Sequence, residues 1–511
     1  MQKLFKFFSQ RLLYVIIDII VTITAMVFII VKFNEFFVYY YTISVVLSII
    51  IVVLIVNSKR NPGYKIAWII LVLLFPIFGG LFFLLFGGNK LSRRIRRTMN
   101  IVDQRTRESL PKNDALIEIL KQQNKDAAAQ STYIQNYAYS PPYVNTVSTY
   151  LASGEDKFQH LLEELKKAEY YIFLEYYIIA PGVMWDSVLE ILVQKVNEGV
   201  DVRVIYDDFG SITTLPYRYD KQLENLGIKA CIFNPMKPIL SIRMNNRDHR
   251  KIAVIDGHTG FTGGVNLADE YINLHERFGH WKDSAIMLKG EAVWSLTVMF
   301  LSMWEYITGK GEDYNLYKPH LHCPFPIESD GYVQPYADSP YDEEPTGETV
   351  YLNLINRAKK YIYICTPYLI VDHGMITALC VAAKSGIDVR ILTPGVPDKQ
   401  MIHALTKSYY KLLLAANIKI YEYTPGFVHA KSFVVDDEYA TVGSINLDYR
   451  SLYLHFECGV WLYHTQSILP VKNDFLNALL FCHQYTMEDY KKTHWFQRFI
   501  RAFLRIIAPL V

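Results

Sequence analysis

The stretch GFVHAKSFVVDDEYATVGSIN, from Gly426 to Asn446, repeats a pattern met 180 positions earlier in DHRKIAVIDGHTGFTGGVN, from Asp248 to Asn266. Each copy carries His-x-Lys, four residues, Asp, and then a small-residue pair ahead of Asn. On a strand, residues two apart share a face, so His249 points with Lys251 and His429 with Lys431. A single His-x-Lys says little, because a histidine on a strand is more often a satisfied core residue. Two copies at matching offsets make coincidence a poor explanation.

The surroundings are duplicated as well. LLEELKKAEYYIFLEYYII, LVQKVNEGVDVRVIYDDFGS and NLGIKACIFNP precede the first motif; LNLINRAKKYIYICTPYLI, ALCVAAKSGIDVRILTPG and LLAANIKIYEYTPG precede the second. Each series predicts helix, apolar strand, helix, strand, helix, short strand and motif strand. The predicted fold class is α/β: two repeats, 136–325 and 326–490, each a mixed sheet flanked by helices. Pairing the two related sheets would set their motif strands face to face.

A neutral imidazole can attack phosphorus and form a covalent phosphohistidine, dividing one hard displacement into two. A second imidazole can protonate the departing alkoxide and then deprotonate the incoming alcohol. Lys251, Lys431 and the amides of Asn266 and Asn446 would surround the phosphoryl oxygens, with Gly264 and Ser444 allowing close approach. The ammonium groups already neutralise a diester, so neither a metal nor another cofactor is expected. Each imidazole needs an orienting partner on its other nitrogen. Glu457 and Asp283, both in the strand predicted after each motif, are assigned to that task. Asp256 and Asp436 fall at strand ends beside turn residues, where a structural ion pair is favoured over substrate contact. Tyr176 and Tyr177, with Glu175, and the TPYLI stretch could line a channel for acyl chains or simply fill the core.

Composition narrows the partners. The 52 basic and 50 acidic residues nearly cancel, which argues against nucleic acid. The six cysteines lack C-x-x-C spacing and read as small core residues of a reducing compartment. The apolar excess lies in the first 90 residues. Segments 12–31 and 36–56 each approach the ~20 residues a spanning helix needs. A third run, 66–86, is interrupted by Pro76 and Gly79-Gly80. Lys3, Lys6 and Arg11, then Lys59, Arg60 and Lys65, then Lys90, Arg93, Arg94, Arg96 and Arg97 flank these runs, whereas the first loop has only Lys32 beside Glu35. Two crossings plus a hairpin that dips in and returns would keep every basic cluster cytoplasmic. The expected order is thus a membrane anchor (1–90), a charged linker (91–135), the two repeats, and an amphipathic helix (491–511). That last helix gathers Arg498, Arg501 and Arg505 on one face, which suits either an anionic headgroup surface or packing on the body.

The two motifs resemble the H-x-K-x(4)-D signature of the phospholipase D superfamily, as HRKIAVID (His249, Lys251, Asp256) and HAKSFVVD (His429, Lys431, Asp436). Further stretches are similar to the bacterial cardiolipin synthase family: NPGYKIAWIILVLLFPIFGGLFFLLFG, LEYYII, NNRDHRKIAVIDG, TGGVNLADEY, GFVHAKSFVVDDEYATVGSINLDYRS and APLV. The resemblance implies transfer of a phosphatidyl group between two phosphatidylglycerol molecules, giving cardiolipin and glycerol, at the bacterial cytoplasmic membrane. It implies the signature residues as the catalytic set, His249 as nucleophile and His429 as acid and base. The chain departs from the family in an extra apolar run ahead of the usual two. The rival expectations are a membrane phospholipase D releasing phosphatidic acid and a scaffold with a dead site.

Overall fold

The computed structural model describes residues 10–32, 37–76, 78–87, 93–236, 245–321, 330–342 and 344–510. The first described elements are two helices, α1 (Gln10–Lys32) and α2 (Phe37–Val56). Counting only described residues, no helix is long and apolar enough to cross a membrane.

The third apolar run breaks where its sequence demands. Asn61 caps α3 (Pro62–Leu74) by accepting from the Gly63 amide, and the proline takes the first helical turn, where its missing N–H is harmless. Pro76 then ends the helix. The chain reverses into α4 (Gly79–Phe86), packed back along α3. Gly79 makes the return feasible: a Cβ there would sit 2.6 Å from the Leu71 carbonyl oxygen. The broken backbone is not left bare, since Ser48 of α2 donates to the Pro76 carbonyl at 3.0 Å. At the base of this hairpin, the Arg60 guanidinium and the Tyr64 hydroxyl both donate to the Gly87 carbonyl. Its two ends therefore lie together.

The charged linker expected over 91–135 is, from residue 93 on, part of the folded body. Helix α5 (Arg93–Ser109) pairs Arg105 with Glu305 at 2.7 Å, and Trp294 donates to the Ser109 carbonyl. Helices α6 (Asp114–Gln123) and α7 (Lys125–Tyr137) send Leu120, Ala127 and Ile134 into the core of the second repeat. High charge on α5 disguised an element whose other face packs on the body, with Val102 buried.

The repeats carry matching sheets. The first contains β1 (Thr146–Leu151), β2 (Tyr171–Tyr176), β3 (Asp201–Asp207), β4 (Lys229–Phe233), β5 (Lys251–Ile255), β6 (Thr259–Gly263) and β7 (Ala285–Gly290), ordered β1-β7-β6-β5-β2-β3-β4. The second contains β8 (Tyr332–Asp338), β9 (Tyr361–Cys365), β10 (Asp388–Pro394), β11 (Lys419–Tyr423), β12 (Ser432–Val435), β13 (Tyr439–Gly443), β14 (His455–Tyr463) and β15 (Cys482–Tyr485), ordered β8-β14-β13-β12-β9-β10-β11-β15. In each, three parallel strands meet an antiparallel set at the motif strand, β5 or β12. One apolar core spans both sheets, joining Phe173, Val254 and Leu288 to Val442, Cys458 and Val460. Five cysteines fall among the described residues and all are free; Cys323 lies outside them.

Candidate active site

Two short strand pairs stitch the halves together, and each carries a motif. Arg247–Asp248 runs parallel to the start of β14, and the His249 amide donates to the Phe456 carbonyl at 2.9 Å. Gly426–Val428 runs parallel to His280–Lys282, and the His429 amide donates to the Lys282 carbonyl at 2.7 Å. Each motif is thereby placed beside the carboxylate of the other repeat. His249 Nδ1 lies 2.9 and 3.1 Å from the Glu457 oxygens, and His429 Nδ1 lies 2.7 Å from Asp283 Oδ2. An ionised carboxylate only accepts, so each Nδ1 carries the proton and each Nε2 keeps its lone pair.

The site is buried, with His249 and His429 only 7% and 8% exposed. Burial first, then Lys251, Lys431 and His429, hold the His249 imidazole well below its usual range. Burial and Lys431 push His429 down to about 4 against the pull of Asp283. Both rings are therefore neutral at pH 7 before substrate arrives. Burial also lowers Lys251 to about 8 and Lys431 to about 7. Each ammonium donates to the carbonyl of its own histidine. For Asp283, burial pushes upward, but His429 and Lys431 outweigh it and the net shift is down. With both rings neutral, Lys251 and Lys431 stand against the carboxylates of Glu457 and Asp283, so these six groups are close to charge-balanced before an anion enters.

The remaining sequence-singled residues divide. Ser444 donates its hydroxyl to Glu457 Oε2, and its amide is held by the Cys458 carbonyl. The Gly264 amide is likewise spent, on the Ser284 carbonyl at 3.0 Å. The expectation that these groups face phosphate is corrected: they build the seat of the carboxylates. A Cβ at Gly264 would lie 2.0 Å from Asp283 Oδ1 and 2.9 Å from the His429 carbonyl. Asn266 accepts from the Ile178 amide and donates to the Tyr271 hydroxyl at 2.7 Å. Asn446 is 4% exposed and its amide oxygen is unpartnered.

Asp256 and Asp436 form no ion pair among the described contacts. Asp256 accepts the amides of Glu169, Tyr170 and Tyr171, each at 2.8 Å; Asp436 accepts those of Lys359, Lys360 and Tyr361. Both sit in left-handed backbone, φ 50° and 55°, in the turn that follows the motif strand. A short carboxylate tolerates that conformation and reaches back to anchor the start of β2 or β9. They are structural clamps, and neither touches the imidazoles.

Three neighbours were not singled out. His455 stacks 5.5 Å from the His249 ring, with Nδ1 3.6 Å from Glu457 Oε1, and burial pushes it to about 3. Trp281 and Tyr271 flank His429 at 5.4 and 5.5 Å. Aligning the repeats would have found the first two, since Trp281 and His455 each precede a carboxylate by two positions. Within EYYII, Glu175 pairs with Arg250 and Tyr176 accepts from Lys157, while Tyr177 alone meets His249, at 5.0 Å. His249, His455 and Glu457 bring ligand atoms within 4.8 Å of one another. Glu457 is already committed to His249 and Ser444, and the adjacent lysines oppose a cation, so the set fits a metal poorly.

The model of the cardiolipin synthase PLD-like domain matches residues 161–304 and 351–479. The chain belongs to this family. Its two matched blocks contain both motifs, both carboxylates and His455. A phospholipase D-nuclease N-terminal model matches residues 46–88, covering the hairpin. A cardiolipin synthase of Halalkalibacterium halodurans is 35% identical over 463 residues, covering 89% of this chain and 91% of the relative. An uncharacterized protein of Streptococcus mutans is 45% identical, covering 89% and 98%. The crystal structure of the phosphatidylserine synthase of Haemophilus influenzae shares the fold at 15% identity, with a TM-score of 0.55 over 75% of this chain and 98% of that one.

Proposed function

We propose that the protein is a cardiolipin synthase joining two phosphatidylglycerol molecules through a phosphohistidine. The observation that carries this is the crossed pairing: each imidazole is oriented by a carboxylate of the opposite repeat, which leaves both Nε2 atoms unprotonated, and the second motif's Lys431 and His429 act electrostatically on His249. In the first step, His249 Nε2 forms a bond to phosphorus while the bond to the headgroup glycerol oxygen breaks. His429 donates a proton to that oxygen and glycerol leaves. In the second, His429 takes the proton from the terminal hydroxyl of another phosphatidylglycerol. The freed oxygen bonds to phosphorus, the P–N bond breaks, and His249 returns to its starting form. One diester replaces another, so no nucleotide is consumed.

Binding supplies the proton balance. The diester brings one negative charge into the pocket, which raises the proton affinity of His429, and its Nε2 takes up from solvent, as substrate binds, the proton it gives to the leaving glycerol. Lys251 and Lys431 then screen the charge that gathers on the phosphoryl oxygens.

Membrane anchorage by 12–31 and 36–56, with 66–86 re-entrant, belongs to the same reading. Supporting it, Val38, Tyr39 and Ile43 of α2 are 66–74% exposed, a surface water does not tolerate in a contiguous helix. The paired hairpin ends and the Ser48 bond to the break suit a segment that enters lipid and returns. The basic clusters favour a catalytic body on the cytoplasmic side.

Hydrolysis to phosphatidic acid differs only in whether water or lipid discharges the phosphohistidine. Purified protein incubated with phosphatidylglycerol separates the readings: glycerol plus a four-chain lipid is expected, and phosphatidic acid plus glycerol would overturn it.

A further inference from the structure

The C-terminal helix α8 (Trp495–Ile507) sits on the body in an unexpected orientation. Its arginine side turns inward. The Arg505 guanidinium lies 4.6 Å from the Tyr409 ring, Arg498 lies 5.7 Å from Tyr490, and Leu504 joins the core of the second repeat. The opposite side is left bare. Trp495, Phe496, Phe499, Ile500, Phe503 and Ile506 are 39–65% exposed along one short helix. Arginines held against tyrosines are poorly placed to grip headgroups; of the two alternatives the sequence left open, the arginine side packs on the body. What faces outward is aromatic and aliphatic.

The helix is also tied to the N-terminal hairpin. Residues 508–510 pack on α3, and a Cβ at Gly63 would lie 3.3 Å from Pro509 and 2.7 Å from the Tyr449 hydroxyl. A cavity of about 980 Å³ opens at this junction, lined by Asn61, Pro62 and Tyr64 from the hairpin base, Pro509 from the tail, and Leu454, next to His455. The tail that follows α8 is thus fixed to the base of the N-terminal hairpin, and the two border one cavity.

We propose that α8 lies in the headgroup–acyl boundary of the bilayer, its Trp495–Phe499–Phe503 ridge in lipid, beside the hairpin to which its tail is tied. The inference rests on the membrane reading above. A bilayer fits better than a second copy: tryptophan and phenylalanine on an in-plane helix are the composition of an interfacial anchor. A 13-residue helix is only about 20 Å long, and two such ridges offer less area than a stable dimer needs.

The test uses the full chain reconstituted in vesicles carrying bromine on the acyl chains near the headgroup. Subtracting the emission of a Trp495→Phe variant from that of the unmodified chain isolates Trp495, and the conservative change keeps the fold. The expected result is loss of most Trp495 emission to bromolipid and little to aqueous iodide, alike in zwitterionic and anionic vesicles. Quenching by iodide alone would put the face in water and overturn the proposal. Emission shielded from both quenchers but recovered on diluting protein in lipid would assign the face to a second copy. Quenching that requires anionic lipid would show the arginines to be the contact. A His249→Ala chain should quench identically, so this proposal and the catalytic one fail separately.

Discussion

At the scale of single residues, the site works by orienting each imidazole with a carboxylate from the other repeat, while its own lysine is held at the histidine carbonyl. Glu457→Gln keeps shape but loses the charge that holds the His249 tautomer. We expect kcat to fall by roughly 10²–10⁴-fold, the span of a general acid–base contribution, with KM little changed. Product formation in mixed micelles would show it. Asp256→Asn should behave differently: one oxygen of its amide-binding pair becomes a donor facing N–H groups, so thermal stability drops while the folded fraction keeps its turnover. Burial sets a pH dependence. His429 titrates near 4 and His455 near 3 in the folded chain, against 6.5 for the free side chain. Between those values the unfolded chain holds the extra protons, so stability is full above about pH 6.5 and falls as pH drops toward 4, by on the order of 3 kcal/mol for His429 alone. His455→Asn should flatten the acid slope of Tm against pH; an unchanged slope would contradict burial as its cause. The histidines, lysines and carboxylates were legible because their spacing is repeated. The tasks of Ser444 and Gly264 were not, because hydrogen-bond allegiance depends on which strand lies opposite.

At the scale of elements, the hairpin and the tail both turn on packing that periodicity cannot express. Pro76 and Gly79-Gly80 announced a break, but only the contact of Gly79 with Leu71 makes it a reversal. Gly79→Leu should therefore prevent closure, read as loss of folded protein in membranes. For topology, a Cys placed at Asn89 should resist an impermeant thiol reagent added to intact cells and react in inverted vesicles. Charge patterning misled where helices were concerned: Arg93–Ser109 looked like a linker because its exposed face is so basic. The same patterning marked the tail as amphipathic without saying which side meets the protein.

At the scale of the whole molecule, the repeat is more than duplication. The two sheets share one core, and the seam strands exchange carboxylates, so neither half alone contains an oriented imidazole. Duplication and sheet order were readable from the paired segments; the exchange needed three dimensions. It predicts that His249→Ala and His429→Ala each remove most activity, since one cycle passes through both rings.

The most direct measurement supplies each histidine variant with a labelled phosphatidyl donor bearing a leaving group good enough to depart without a proton. After quenching in denaturant, the label is mapped to peptides. His429→Asn should retain acid-labile phosphatidyl label on the His249 peptide, and His249→Asn should retain none. Label on the His429 peptide would reverse the two roles, and label on neither would contradict a covalent relay through two imidazoles meeting at one phosphorus.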